Sequence, residues 1–535
     1  MCEFDIVIKN GRIIDGTGNP WFKRDIGIGE GKIKEIGSVK RGETIIDAEG
    51  MVVSPGFIDI HNHSDFTILA YPNAESYIMQ GVTTAVVGNC GASMAPVNPE
   101  NLELLKRYLS PFLVHGFNYG WNWRTLGEYY KKVEEKGVSM NLAPLVGHGT
   151  IRIAVKGFDA SDPSEEEMSE MKRLLVEALK DGAYGLSSGL IYPPGAYAKT
   201  KELIELAKVV AEYGGVYASH IRSESDTLIE AVSEAIDIGK KSGIPVEISH
   251  HKAAGRGNWG KVNATLRMME QAREDGVEVN CDVYPYTAGS TTITSLLPTW
   301  VLEGGTEKMM ERLRDKKTRE RIRREFLEDR IRGENWIKSA GLDGILISSC
   351  PPNTKYEGKN LEDILKEKNM LDKPYEGVFD FILEIRGEAT IVIFAMSEED
   401  LSTVISNPLS SICSDSWLTR PSAGGKPHPR VYGTFPRVLG KYVRQNGLIR
   451  IEEAIRKMTS LPATKIGLKN RGLIKEGFQA DIVVFDPAHI IDKATYEDPH
   501  KYPEGINYVI VNGKVVVENG NHTGARPGKI LRRKR

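Results

Sequence analysis

Residues 164–190, SEEEMSEMKRLLVEALKDG running into AYGLSSGL, hold in miniature the pattern that decides the fold. Ser164 can cap a helix, and Glu167 three residues on completes an S-x-x-E capping box. Met168, Met171, Leu175 and Ala178 then recur at helical spacing as one apolar stripe, and Gly182 ends the helix. The short apolar run 183–190 reads as a strand. Seven further runs of this kind are FIDIHNH (57–63), TTAVVGNC (83–90), MNLAPLVGHG (140–149), GVYASHIR (215–222), PVEISHHK (245–252), VEVNCDVYPY (277–286) and SSICSDS (410–416). Amphipathic helical stretches alternate with them. Eight strands in that alternation predict a (β/α)8 TIM-like barrel over residues 56–468, with an open doubly wound sheet as the structural rival.

Working outward, the stretch from Gly289 to Asn407 is too long for a single strand-to-helix connection. It is expected to hold the seventh helix together with an inserted subdomain, roughly 290–407, between strands seven and eight. Its charged run TEKMMERLRDKKTRERIRREFLEDR mixes acids and bases, the signature of a solvated helix face and not of a nucleic-acid surface. The two chain ends, 1–55 and 469–535, read as short alternating strands punctuated by tight turns. Neither is large enough to bury a core alone, so one small β-sandwich built from both ends is expected, the alternative being two separate edge hairpins.

At 535 residues the chain exceeds what one simple core supports, which agrees with this division. A hydrophobic fraction of 40% and a charged fraction of 27% exclude a disordered or fibrous chain. Lys and Arg total 70 against 72 Asp and Glu, so net charge points to neither a nucleic-acid nor a membrane partner. No apolar stretch is long enough to span a bilayer, and MCEFDIVIKN shows no secretory h-region. Cys2, Cys90, Cys281, Cys350 and Cys413 are scattered and odd in number; a cytoplasmic location without a disulfide framework is expected. Only four glutamines accompany the many charged residues, a pointer to a hot habitat. A homo-oligomer is compatible with the sequence, which does not set the number of chains.

Metal-capable residues sit at the ends of the expected strands. His61 and His63, two apart, share a strand face with Asp59. Cys90 ends the second strand, His220 the fifth, His250 and His251 the sixth, and Asp415 the eighth. Strand C-termini of a barrel converge on one mouth, so four histidines, a cysteine and an aspartate can meet there, a mixed N, S and O donor set that suits zinc. Adjacent strand residues face opposite ways, so only one of His250 and His251 should point inward; His250 is the choice. Alone, Cys90 would read as a small buried apolar residue, and each histidine as a structural hydrogen-bonder. His148 and Tyr192, also at strand ends, are candidates to polarise a substrate carbonyl or simply to brace the mouth.

PGFIDIHNHSD, GHGTIR, HIRSES, ISHHK and SLPATKIGLKNRGLIKEGFQADIVVFD resemble the amidohydrolase superfamily. Within it, VVGNCGAS, SSGLIYPPGAYA, DVYPYTAGST and KPHPRVYGTFPRVLG resemble the D-aminoacylases, the N-acyl-D-amino-acid deacylases, and the likeness spans almost the whole chain. The resemblance implies a zinc-dependent hydrolase that cleaves the amide bond of N-acyl-D-amino acids to a carboxylate and a free D-amino acid. It implies one tightly held zinc on Cys90, His220 and His250, and a second, weaker metal position on His61 and His63 that shares the cysteine. It makes Asp415 the general base and acid, and Arg430, Lys252, Tyr284 and Ser290 the binders of the substrate carboxylate. The segment from Asp415 to Arg430 is longer than in the shortest versions of the family. Rival readings are a cyclic-amide hydrolase of the dihydroorotase or hydantoinase kind, a dipeptidase acting on D-residue dipeptides, and a non-catalytic scaffold. No lysine ends a strand where a carboxylated bridge would sit, which disfavours the first. A full set of ligands with the strand-eight acid disfavours the last.

Overall fold

The computed structural model describes residues 4–331 and 333–534; Cys2 lies outside them. Eight short strands form the barrel: Phe57–Asp59, Val82–Val87, Asn141–Pro144 continued by Val146–Gly147, Gly185–Gly189, Val216–His220, Val246–Ile248, Val279–Val283 and Ser410–Ile412. From the first strand to the eighth, each consecutive pair is parallel. The ladder is interrupted within the third strand at Leu145, whose N–H still donates to Val87 O at 2.8 Å. The ring closes just past the strand ends, where Asp415 N–H donates to His61 O (2.9 Å) and His63 N–H to Ser416 O (2.8 Å). These strands are buried on both faces, as a parallel sheet wrapped by helices requires.

The helix Glu165–Lys180 starts at a capping box in which Ser164 and Glu167 each accept from the other's backbone N–H. Met171, Leu175, Ala178 and Leu179 are buried, while Met168, expected in the same stripe, is half-buried against the core edge. Thr200–Glu212, Leu228–Ser242 and Lys261–Glu274 follow around the ring.

The insertion differs from its expected bounds. It leaves the barrel at Thr287 and returns at Met396, where Met396 N–H donates to Thr287 O. Between lie a three-stranded antiparallel sheet, ordered Gly289–Thr292, Thr390–Ile393, Ile345–Ser349, and helices including Thr306–Arg314, Lys316–Leu327 and Pro374–Glu384. These surround their own apolar cluster, with Ile322, Phe326, Ile347, Phe381 and Ile391 inside it. The charged run supplies Met309, Met310, Leu313, Ile322 and Phe326 to that cluster and turns its charges outward. The barrel's seventh helix is Glu398–Ser406, at the end of the stretch expected to hold it, packed on Lys261–Glu274 and the eighth strand.

Both chain ends form a sandwich of a four-stranded and a seven-stranded sheet. In the larger, Val52–Pro55 from the N-terminal end pairs antiparallel with Ile482–Phe485 from the C-terminal end. Ile6, Ile8, Ile26 and Ile28 of one sheet meet Val53, Ile482, Val484 and Ile510 of the other. The last residues leave the sandwich and run along the barrel's lower end. There Leu142 N–H donates to Lys529 O, Leu531 N–H to Leu142 O, and Arg533 N–H to Gly182 O. Among the described residues no helix is long and apolar enough to cross a membrane.

Candidate active site

Three of the residues that meet at the barrel mouth sit on left-handed backbone: Cys90 (φ 50°), His250 (φ 37°) and Asp415 (φ 48°). Such conformations cost energy in non-glycine residues and cluster where a side chain must be aimed. The turn around Cys90 is held by flanking glycines. A Cβ at Gly88 would lie 2.3 Å from Leu145 O, and one at Gly91 2.7 Å from Gly189 N. The chain can therefore fold sharply after the second strand and turn the Cys90 thiol into the mouth.

Cys90 Sγ lies 3.2 Å from His61 Nε2, 3.5 Å from His250 Nε2 and 3.7 Å from His220 Nδ1. Two overlapping donor groups result, one of His61, His63, Cys90 and Asp415, the other of Cys90, His220 and His250. Within each, all donor atoms lie within 4.8 Å of one another, and every member is buried. Burial alone would raise the Cys90 thiol, but the imidazoles of His61 and His250 pull it well below the usual thiol range. Imidazoles gathered on a thiolate suit a divalent cation such as zinc.

Asp415 adjoins the first group. Its Oδ1 lies 3.3 Å from His63 Nε2 and 3.4 Å from His61 Nε2, and its Oδ2 accepts from Arg430 Nη1 at 2.8 Å. Burial would raise this carboxyl; Arg430 and His250 overcome that and hold it well below its ordinary range. Arg430 and Lys252 both lie over the Tyr284 ring, at 4.6 and 5.4 Å from its centroid. Glu224 Oε1 lies 2.7 Å from His250 Nδ1 and also pairs with Lys252, which turns the other ring nitrogen, Nε2, toward Cys90. Asp282 accepts from the His250 N–H at 2.6 Å and stands 3.5 Å from His61 Nδ1.

The mouth opens into a cavity of about 440 Å³, bounded by the barrel loops on one side and the inserted subdomain on the other. His63, Cys90, Tyr192, His220, His250, Lys252, Tyr284, Ser290, Asp415 and Arg430 all line it. The Ser290 hydroxyl is buried and has no protein partner. Tyr192 presents its hydroxyl to Thr291 Oγ1 at 2.8 Å and its ring edge to His220.

The amidohydrolase family pattern matches residues 44–322 and 412–517. The chain belongs to the amidohydrolase family. The unmatched interval holds the greater part of the insertion and the seventh helix. This amidohydrolase is 34% identical to a D-aminoacylase of Alcaligenes xylosoxydans xylosoxydans, over 99% of this chain and 98% of the relative. It is 35% identical to an N-acyl-D-glutamate deacylase of the same organism, over 99% of this chain and 97% of the relative. Among solved structures it is similar to the N-acyl-D-glutamate deacylase of Bordetella bronchiseptica complexed with zinc and a phosphonate that mimics the tetrahedral intermediate. That likeness has a TM-score of 0.81 and 33% identity, over 99% of each chain. These relatives place the amidohydrolase in the D-aminoacylase branch.

Two residues singled out from the sequence take other places in this amidohydrolase. His148 does not reach the cavity. It begins the helix His148–Lys156, fully buried, with Nε2 2.8 Å from Glu202, which also pairs with Arg152. The third strand ends at Gly147 and the chain turns at once into that helix, which carries the imidazole behind the mouth. Asp59 shares the strand of His61 but faces the eighth strand, where it accepts from Ser414 N–H at 2.9 Å and from Asn62 Nδ2 at 2.7 Å. Burial pushes its carboxyl up to about 6. His251 turns outward to Thr265 Oγ1, 2.8 Å away. Glu224 and Asp282 were missed: Glu224 lies in the loop four residues past His220, and Asp282 lies inside the seventh strand, which supplies none of the clustered donors. A search for carboxylates able to receive the second nitrogen of a ligand histidine finds both.

Proposed function

We propose that this amidohydrolase is a zinc-dependent deacylase that hydrolyses N-acyl-D-amino acids to a carboxylate and a free D-amino acid. The observation that carries the reading is the placement of Asp415. Its carboxylate stands between the histidine–cysteine donor cluster and a cavity wall formed by Lys252, Tyr284, Ser290 and Arg430. The full-length relatives at 34–35% identity are named as deacylases of N-acyl-D-amino acids, and the related structure holds zinc.

We assign the tightly held zinc to Cys90, His220 and His250, and a weaker second position to His61 and His63 with the shared Cys90. When bound, zinc acidifies water and draws electron density from the substrate carbonyl. Lys252, Ser290 and Arg430 receive the α-carboxylate, and Tyr284 gives the two cations a common floor. The Arg430 guanidinium keeps Asp415 ionised, so Asp415 is ready to accept the proton of the attacking water. Asp415 returns that proton to the amide nitrogen as the carbon–nitrogen bond breaks, leaving a carboxylate and an amine. Tyr192 stands where its hydroxyl can donate to the carbonyl oxygen as charge gathers there. With carboxylate and carbonyl both held, inverting the α-carbon moves the amide off Asp415, which selects one hand of substrate. Buried, unpaired Cys90, Cys281, Cys350 and Cys413 support a cytoplasmic location.

The test is a hydrolysis screen of N-acetyl-D- and N-acetyl-L-amino acids and D-dipeptides, with metal analysis of the same sample. Release of free D-amino acids by zinc-loaded protein is expected. Equal rates on the L-forms would remove the stereochemical assignment, and cleavage of dipeptides alone would replace the deacylase by a peptidase.

A further inference from the structure

The cavity continues past the groups that hydrolysis needs, and its far side is aromatic. Phe66 stacks on His63 with centroids 5.8 Å apart and planes 12° from parallel. Phe112 stacks on Phe66 at 5.7 Å, and Trp417 meets Phe112 edge-on at 5.5 Å. All four rings line the same cavity, and Phe112 and Trp417 are half-buried, with apolar surface left for a ligand to cover. The three carbon rings come from loops after the first, second and eighth strands. Lys252, Tyr284 and Ser290 come from the sixth and seventh.

An amide is planar and trans, which sets its acyl substituent and its α-carbon at opposite ends of the carbon–nitrogen bond. With the α-carboxylate on Lys252 and Ser290 and the carbonyl carbon beside Asp415 and His63, the acyl substituent leaves toward Phe66, Phe112 and Trp417. An acetyl methyl ends beside His63 and leaves the outer two rings untouched. We infer that the Phe66–Phe112–Trp417 wall is an acyl-group subsite, and that the enzyme takes aromatic or extended aliphatic N-acyl groups in preference to acetyl. This rests on the deacylase reading above and adds the acyl class to it. Lys106 and Arg107 also reach this side of the cavity, but they are paired with Glu103 and Glu307. The wall is therefore fitted to apolar groups and not to an acidic one such as succinyl.

The experiment compares kcat/KM for N-acetyl, N-hexanoyl, N-phenylacetyl and N-succinyl derivatives of one D-amino acid, on the wild type and on Phe112→Ala and Trp417→Ala. Each buried methylene is a factor of about four, so hexanoyl and phenylacetyl should exceed acetyl by about tenfold or more. The readout for the variants is the ratio between acyl groups, which should fall toward one. A ratio near one in the wild type, or succinyl as the best substrate, overturns the inference while leaving the deacylase intact. So does an equal loss on all four substrates in both variants, because the rings would then only brace His63. Failure to cleave any of the four would sink the deacylase reading and this inference together. As a readout apart from turnover, phenylacetate should inhibit competitively about tenfold more tightly than acetate, and Trp417→Ala should erase that difference.

Discussion

Asp415 and Cys90 lie 325 residues apart in the chain, but in space both belong to the donor group that includes His61 and His63. Their substitutions should nevertheless fail in different ways. Asp415→Asn removes the charge that accepts a proton but leaves Cys90, His220 and His250 in place. It is expected to retain about one zinc per chain and to lose about 10²-fold or more in kcat. An unchanged kcat would move the base elsewhere. Cys90→Ser breaks the atom shared by both donor groups, so zinc should dialyse out and activity should go with it; full zinc retention by metal analysis would remove Cys90 from the ligand set. The types of these residues were legible because imidazole, thiol and carboxyl at successive strand ends are chemically conspicuous. Their aim was not. Alternation separates His250 from His251 only on regular strand, and His250 has left-handed backbone, φ 37°, that no spacing rule foresees. His148 shows the converse: one turn of helix entered at Gly147 takes a strand-end histidine away from the mouth.

At the scale of elements, the insertion is tied to the site through Glu334. This buried carboxylate accepts from Glu224 N–H and from the Ser225 hydroxyl, on the loop whose Glu224 orients His250 and pairs with Lys252. Burial pushes the Glu334 carboxyl from 4.5 up to about 7. The folded state thus binds this proton more tightly than the unfolded chain does. The stabilisation is fully present below about pH 4.5 and is lost as pH rises through about 7, a difference of about 3 kcal/mol in all. Amide exchange of residues 223–226 and 333–340 should therefore quicken between pH 6 and pH 8 beyond the intrinsic base-catalysed rise. Glu334→Gln, which mimics the protonated acid, should flatten that excess; an equal excess in both proteins would show that Glu334 does not fasten the insertion. None of this contact could be read beforehand. The insertion was visible as surplus length, but which barrel loop it rests on depends on packing between elements more than 100 residues apart. The seventh helix, nine residues at the end of that surplus length, lacked a stripe strong enough to set its bounds.

For the whole molecule, the wrap of the chain ends distributes stability away from the mouth. The sandwich was foreseeable because each end alone has too little apolar surface to fold. The last segment was not, since RPGKILRRKR offers only Ile530 and Leu531 among its cations and shows no periodicity. Yet these residues extend the barrel's lower edge. Gly528 N–H donates to Val138 O, Leu531 N–H to Leu142 O and Arg533 N–H to Gly182 O; Ile530 is buried, and Arg532 pairs with Glu134. Burying one isoleucine is worth about 2 kcal/mol and each backbone bond about 1 kcal/mol, less the entropy of ordering the tail. A chain ending at Arg526 should therefore lose a few kcal/mol and melt about 3 °C lower in calorimetry. The cut lies at the strand N-termini, across the barrel from Cys90 and Asp415, so zinc content and kcat below the melting range should match the full-length protein. A truncated protein with unchanged Tm would show that the tail rests on the barrel without supporting it. Loss of zinc at a temperature where the protein stays folded would show that the lower edge transmits strain through the strands to the donor cluster, and the separation of a stabilising end from a reactive one would fail.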